Sequence, residues 1–98
     1  MIDELDSRTD EGIPKCYICG RTRWIEHHHV YGGANRKLSE KYGLVVPLCH
    51  RCHNEPPDGV HHNYENMKRL QQTVQSIAME YYGWDEDDFR KIFGRSFL

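Results

Sequence analysis

The chain has 98 residues, of which 38% are hydrophobic and 29% are charged, and its formal net charge at pH 7 is -2. This length allows one domain with a thin hydrophobic core, and domains of this size often depend on a metal ion or on disulfides. No stretch approaches the roughly 20 apolar residues of a transmembrane helix, which argues against a membrane-spanning protein.

The charges are unevenly distributed along the chain. Acidic residues concentrate in the first eleven positions and in residues 85–88, whereas residues 12–84 contain nine Lys or Arg against six Asp or Glu, a net charge of +3. This mildly basic centre permits contacts with phosphate groups. It lacks the dense basic stripe that is typical of dedicated high-affinity DNA-binding proteins.

The order of predicted elements indicates a small α+β fold. Residues 1–13 are polar, acidic and without periodicity, so we predict a disordered N-terminal arm before a single domain over residues 14–98. Bulky residues at 23–31 and an apolar, β-branched run at 44–48 predict two strands that pair as an antiparallel hairpin. The connection at 32–42 is polar, and we expect a loop there with at most one helical turn.

Two helices are predicted after the hairpin. The Pro-Pro-Asp-Gly sequence at 56–59 excludes helix, so the main helix begins near Asn63, a good N-cap residue, and extends over about residues 63–82 with apolar residues at three- and four-residue steps. Asp85 precedes another aspartate by three residues, which predicts a capped C-terminal helix over about residues 85–93.

Four cysteines form two Cys-x-x-Cys pairs, Cys16/Cys19 and Cys49/Cys52, with 29 residues between the pairs. Because no apolar leader segment precedes them, we expect an intracellular protein with a zinc site in place of disulfides. A thioredoxin-like redox role needs a βαβ context that the chain lacks. Four thiolates close the coordination sphere of zinc, so this site is expected to be structural and to decide whether the chain folds.

Three consecutive histidines, His27, His28 and His29, lie between the cysteine pairs. A solvated or tag-like run is the simple alternative, but imidazole rings are polar and need partners. In a regular strand His28 faces away from the other two, whereas a bulge or a strand end would let neighbouring rings converge. Seven histidines are candidates for a second metal site: His27, His28, His29, His50, His53, His61 and His62.

The order of these motifs carries a resemblance to a known family. His28-His29-Val30 between cysteine pairs, a Gly-rich loop, and then Val-Pro-Leu-Cys-x-x-Cys-His resembles the HNH endonucleases of the His-Me finger superfamily, and more narrowly their small zinc-containing bacteriophage members. The resemblance covers about residues 15–82. It implies a ββα-metal, treble-clef-like fold in which hairpin and main helix hold one catalytic divalent cation, Mg²⁺ or Mn²⁺, apart from the structural zinc.

The resemblance also implies roles for individual residues. His28 would bind the catalytic cation and His29 would be the general base that activates water. The second protein ligand stays open between His53, which follows the last cysteine, and His61, which precedes the main helix. The other three histidines are expected at the surface or outside the site: His27, His50 and His62.

The middle asparagine of the family pattern has no direct counterpart. Gly43 stands where that residue normally precedes the second strand, and Asn35 is the nearest substitute for its loop-bracing role. Glu26 could fix the tautomer of a neighbouring histidine. Tyr31 and Trp24 could stack on bases, although core packing is favoured for both. Five basic residues could contact phosphates: Arg21, Arg23, Arg36, Lys37 and Lys41.

These inferences predict a metal-dependent HNH endonuclease that hydrolyses DNA phosphodiester bonds, encoded by a phage or prophage and acting inside a bacterial host. So small a domain has little surface for reading a long site, so we expect low sequence specificity or reliance on a protein partner or a dimer. The alternative is a non-catalytic, zinc-stabilised module that binds DNA or protein. A zinc hydrolase of another substrate is disfavoured, because the expected zinc ligands all belong to a closed site.

Overall fold

The computed structural model describes residues 2–98 and has the predicted α+β composition. Within these residues, β1 (Ile25–His29) and β2 (Val45–Cys49) form a two-stranded antiparallel sheet. Four helices surround it: α1 (Arg36–Tyr42), α2 (His50–Asn54), α3 (Tyr64–Tyr82) and α4 (Glu86–Phe93). None of the helices in residues 2–98 combines the length and apolar character needed to cross a bilayer.

The register of the hairpin decides which histidine faces inward. His28 pairs with Val46, and His27 pairs with Pro47. Because side chains alternate along a strand, His28 shares the inner face with Val46, and both side chains are buried, whereas His27 is exposed. The strand is shorter than the predicted 23–31 at its start, since Trp24 has a φ of 55°, which is incompatible with extended backbone.

The connection between the strands contains more helix than predicted. Residues Gly33–Asn35 form a 3₁₀ turn that continues into the seven-residue helix α1. Ser39 on this helix is fully buried, its Oγ accepting from the Tyr31 N–H at 3.1 Å and donating to the Tyr31 carbonyl at 2.7 Å. The expectation of a loop was wrong because these contacts across the fold stabilise a helix whose own sequence is polar.

Helices α3 and α4 begin at the predicted caps. The Asn63 side chain accepts a hydrogen bond from the Asn66 N–H at 3.0 Å, and α3 ends at Tyr82. Asp85 and Asp88 form a reciprocal capping box at the start of α4. These bounds agree with the predicted helices over about 63–82 and 85–93.

Tyr31 connects the hairpin to the C-terminal helices. Its side chain is 1% exposed and lies against the rings of Phe89, Phe93 and Phe97, at centroid distances of 5.4, 5.0 and 4.8 Å. Its hydroxyl donates to the Gln71 carbonyl on α3 at 2.6 Å. The prediction that Tyr31 packs in the core is therefore confirmed.

The structure corrects the prediction of a disordered arm over residues 1–13, as far as residues 2–13 are described. Ile2 and Leu5 are 2% and 1% exposed, and the 3₁₀ turn Asp3–Leu5 places both apolar side chains in the core beside β2. Arg8 and Pro14 form an isolated antiparallel bridge. The prediction failed because it was based on the acidic composition of the segment. Two apolar residues three positions apart lie on the same side of a 3₁₀ turn and can be buried together.

Candidate active site

The four cysteines of the two pairs converge as predicted. Their Sγ atoms all lie within 4.8 Å of one another, and the Cys19 and Cys49 sulfurs are 3.6 Å apart. Thiolates bound at about 2.3 Å to one tetrahedral zinc lie about 3.8 Å from each other, so the spacing fits. All four are free thiols. The cluster could therefore hold a metal ion such as zinc.

Backbone N–H groups in the turn after Cys16 favour the thiolate form that a metal ion binds. The turn after Cys16 is closed by the Gly20 N–H, which donates to the Cys16 carbonyl at 2.9 Å, and the Cys19 N–H points at the Cys16 sulfur at 3.5 Å. Burial by itself would raise the pKa of Cys16, but hydrogen bonds from backbone amides, that of Cys19 first, lower it to about 7. Cys16 and Cys49 are buried. A metal bound by all four thiolates would have no open coordination position for substrate, so the cysteine cluster is suited to a structural role.

A second cluster joins three of the candidate histidines. Side-chain nitrogens of His28, His53 and His61 lie within 4.8 Å of one another, and the Nε2 atoms of His53 and His61 are 2.9 Å apart. The His28 ring centroid is 4.9 Å from that of His53 and 5.2 Å from that of His61. Nitrogens bound at about 2.0–2.1 Å to one ion lie roughly 2.9–3.4 Å apart. These three residues, the histidine cluster, could hold a metal ion.

The buried, unpartnered Nε2 of His28 is independent evidence that the histidine cluster could bind a cation. Its side chain is 3% exposed, and its Nε2 has no hydrogen-bond partner within residues 2–98. Burial, and then the neighbouring His53 and His61, lower the pKa of His28 to about 3, so the ring is neutral at pH 7. A buried polar atom without a partner costs about 1–3 kcal/mol. A bound cation would use that lone pair.

A tight loop brings His53 and His61 together. The His61 N–H donates to the His53 carbonyl at 3.2 Å, and the Gly59 N–H donates to the Glu55 carbonyl at 2.7 Å. A Cβ at Gly59 would lie 2.6 Å from that Glu55 oxygen, so only glycine fits. The sequence left the partner of His28 open between His53 and His61. The fold places both of them beside His28. His61 is exposed, which leaves this cluster open to solvent.

Glu26 orients the histidine cluster from behind. Its Oε1 accepts from His53 Nδ1 at 2.7 Å and from Asn54 Nδ2 at 3.0 Å, and its Oε2 accepts from His50 Nδ1 at 2.9 Å. The hydrogen bond from His53, then that from His50, lower the pKa of Glu26 to about 2. Because a carboxylate only accepts, His53 carries its proton on Nδ1 and presents the Nε2 lone pair to the cluster.

His29 lies beside the histidine cluster in sequence but is not one of its members. It is the last residue of β1, and its side chain is 16% exposed. Its Nε2 donates to the Glu40 carboxylate on α1 at 2.9 Å, and this hydrogen bond lowers the pKa of Glu40. In the neutral ring, Nδ1 is then free to accept a proton. Nothing in the spacing of residues 29 and 40 predicted this contact, because it depends on the unpredicted helix α1.

The remaining candidates are not members of either cluster. The Asn35 side chain donates to the Phe93 carbonyl at 3.0 Å, so it ties the connection between the strands to α4. Trp24 is 69% exposed, and the favoured core packing was wrong for it. The other three histidines are exposed, as are the five basic residues singled out for phosphate contact: His27, His50, His62, Arg21, Arg23, Arg36, Lys37 and Lys41.

The donor atoms of the histidine cluster limit the choice of cation. Imidazole nitrogen suits zinc, iron and nickel, whereas Mg²⁺ and Mn²⁺ prefer oxygen ligands such as carboxylates and water. The three donors here are all imidazoles. The cluster therefore fits a transition metal, and the expected Mg²⁺ or Mn²⁺ has no support from this donor set.

Comparison of the chain with protein-family models, with curated proteins and with solved structures finds no match.

Proposed function

We propose that the protein is a metal-dependent endonuclease of the HNH type, with a ββα-metal fold, that hydrolyses phosphodiester bonds in DNA. One observation carries the proposal: a solvent-open cluster of three imidazoles, contributed by the hairpin and by the segment after it. The residue next to His28 in the chain is His29, which has a free ring nitrogen. The motif order that resembles HNH endonucleases supports the same conclusion.

The residues divide into ligands and a base. His28, His53 and His61 would hold a divalent cation, which when bound would polarise the phosphodiester and stabilise the charge on the leaving oxygen. His29 would take a proton from the attacking water through Nδ1, since its Nε2 is engaged with Glu40. Because His61 is exposed, a phosphate group would approach the histidine cluster from that side.

The cysteine cluster would support this site without taking part in the chemistry. Cys52 and His53 are neighbours on α2, and Cys49 ends the strand that pairs with the strand of His28. A metal bound to the cysteines would hold α2 against the hairpin and so keep His53 within reach of His28. Loss of that metal would therefore separate the ligands of the second site.

Charge and size suggest how DNA would be bound. The net charge of +3 over residues 12–84, with exposed basic side chains on α1 and before β1, suits contacts with the phosphate backbone that do not read sequence. A domain of 98 residues offers little surface for a long recognition site. We therefore propose low sequence specificity, or reliance on a protein partner or a dimer.

The test is cleavage of supercoiled plasmid by protein whose cysteine cluster is zinc-loaded and whose histidine cluster has been stripped. Mg²⁺, Mn²⁺, Co²⁺, Ni²⁺ or Zn²⁺ is then added, with one sample left without metal. Wild type should produce nicked or linear DNA only with added metal. His29→Ala should be at least about 100-fold slower, the usual contribution of a general base.

His27→Ala is the matched control, because it removes an exposed imidazole from the same triple without touching the histidine cluster. It should cleave like wild type. Equal activity of the His29 variant would remove that residue from the role of base. No cleavage by folded, zinc-loaded protein with any of the metals would favour the non-catalytic zinc module instead.

A further inference from the structure

We infer that Glu40 is a positioning residue for His29: its carboxylate holds the imidazole ring in one orientation, with the proton on Nε2 and the Nδ1 lone pair free. This inference rests on the proposed nuclease function, in which His29 is the base. It assigns a role to helix α1, an element that the sequence did not predict.

The contact itself is short and specific. His29 Nε2 and Glu40 Oε1 are 2.9 Å apart, although 11 residues separate them in the chain. Within residues 2–98, Glu40 makes no other side-chain hydrogen bond or ion pair, so its carboxylate has a single partner. A carboxylate cannot donate, so this partner must present an N–H to it.

The backbone that carries Glu40 is fixed to the backbone that carries His29. The neighbouring Ser39 is buried, and its hydroxyl bonds both to the N–H and to the carbonyl of Tyr31, two residues after His29. At the other end of α1, the Gly43 N–H donates to the Glu40 carbonyl at 3.2 Å, and Gly43 ends the helix with a φ of 73°. Hydrogen bonds of the neighbouring Ser39 and of Gly43 therefore fix the backbone position of Glu40 relative to His29.

This arrangement separates orientation from general stability. The Glu40 side chain is 62% exposed, so it contributes little to the core, whereas the His29 ring is only 16% exposed and has one free nitrogen. Even when His29 is protonated, so exposed a pair adds little to folding stability. By holding the His29 ring in one orientation, the Glu40 carboxylate would instead raise the rate of the chemical step. Misplacement of a catalytic group by about 1 Å can slow a reaction roughly 100-fold.

The experiment compares Glu40→Gln and Glu40→Leu in the zinc-loaded protein, using the most active metal from the plasmid assay. The Gln side chain keeps an oxygen that can accept from Nε2–H, whereas the Leu side chain does not. We expect kcat to fall about 10- to 100-fold for Glu40→Leu and less than about threefold for Glu40→Gln, with KM unchanged in both. Glu80→Leu, at an exposed position on α3, is the matched control and should leave kcat unchanged.

A spectroscopic measurement tests the same hydrogen bond without catalysis. The His29 Nε2–H proton should be observable by NMR in wild type and in the Gln variant, and should exchange with water too fast to observe in the Leu variant. Melting temperatures of the variants, measured beside wild type, check that each protein is folded.

The two proposals fail in different ways. Cleavage by wild type together with equal kcat in wild type and Glu40→Leu would overturn the role of Glu40 while leaving the nuclease intact. Equal losses in the Gln and Leu variants would also overturn it, since an acceptor oxygen in the same place would then not suffice. Absence of cleavage by wild type with every metal would overturn both proposals.

Discussion

Replacement of Glu26 by Gln should weaken metal binding at the histidine cluster while leaving the cysteine cluster intact. The carboxylate accepts hydrogen bonds from His53, His50 and Asn54, and the bond from His53 fixes which of its nitrogens faces His61. The amide of Gln has one acceptor oxygen and carries no charge. Its oxygen can therefore accept at most two of these three hydrogen bonds, and they no longer end on a charged carboxylate.

The pKa of Glu26 gives the size of its contribution to folding stability. Hydrogen bonds from His53 and His50 lower it from an ordinary 4.5 to about 2. At about 1.4 kcal/mol per pKa unit, the ionised form gains at most about 3.4 kcal/mol. Because the Glu26 side chain is 36% exposed, solvent screening reduces this to about 1–2 kcal/mol. This free energy concerns folding; for metal affinity we expect a loss of about 10-fold, at the low end of the 10- to 100-fold range usual for residues behind metal ligands.

The pH dependence has a defined sign. The folded state lowers the pKa of Glu26, so the stabilisation is present above about pH 4.5 and is lost as the pH falls toward 2. The difference in unfolding free energy between wild type and Glu26→Gln should therefore be full at pH 5 to 7 and should shrink in stronger acid.

Calorimetric titration with Ni²⁺, an ion that imidazole suits, measures the affinity in protein whose cysteine cluster is already zinc-loaded. His28→Ala identifies the signal, because it removes the buried imidazole of the histidine cluster. Glu55→Gln is the matched control, being an exposed glutamate without a side-chain hydrogen bond in residues 2–98. Wild-type Ni²⁺ affinity in Glu26→Gln, or an equal loss of affinity in the control, would show that Glu26 does not orient the histidine cluster.

Two further outcomes test the loop and the cysteine cluster. Gly59→Ala would place a Cβ 2.6 Å from the Glu55 carbonyl oxygen, so it should destabilise the fold by about 1–3 kcal/mol in urea titration and weaken Ni²⁺ binding while zinc content stays at wild-type level. Unchanged Ni²⁺ affinity would show that the loop does not position His61. Removal of metal from the cysteines by a strong chelator should unfold most of the chain, because zinc binding to such sites contributes roughly 10–16 kcal/mol. Circular dichroism measures this, and an unchanged melting curve after complete zinc removal would contradict it.

The sequence alone determined the features that depend on local or periodic patterns. Two Cys-x-x-Cys pairs predicted the cysteine cluster, because each pair forms within a single turn and the hairpin between the pairs brings the turns together. Asn63 and Asp85 predicted the starts of α3 and α4, since a cap bonds only to residues two or three positions away. Both signals are complete within a few residues, so neither needs the fold to be known.

Tertiary structure decided the composition of the candidate site. The return of the chain at Gly59 brings both His53 and His61 to His28, and no spacing in the sequence distinguishes that from the use of one of them. The contact of Glu40 with His29 depends on Ser39 being buried against Tyr31.

Burial of particular apolar residues was also decided by the fold. Tyr31 is buried and Trp24 is exposed, although both are large aromatic residues that flank the same strand. Ile2 and Leu5 pack in the core in spite of their acidic surroundings. Whether each side chain is buried depends on which surface is covered by a distant part of the chain. The spacing of residues along the sequence does not reveal that contact.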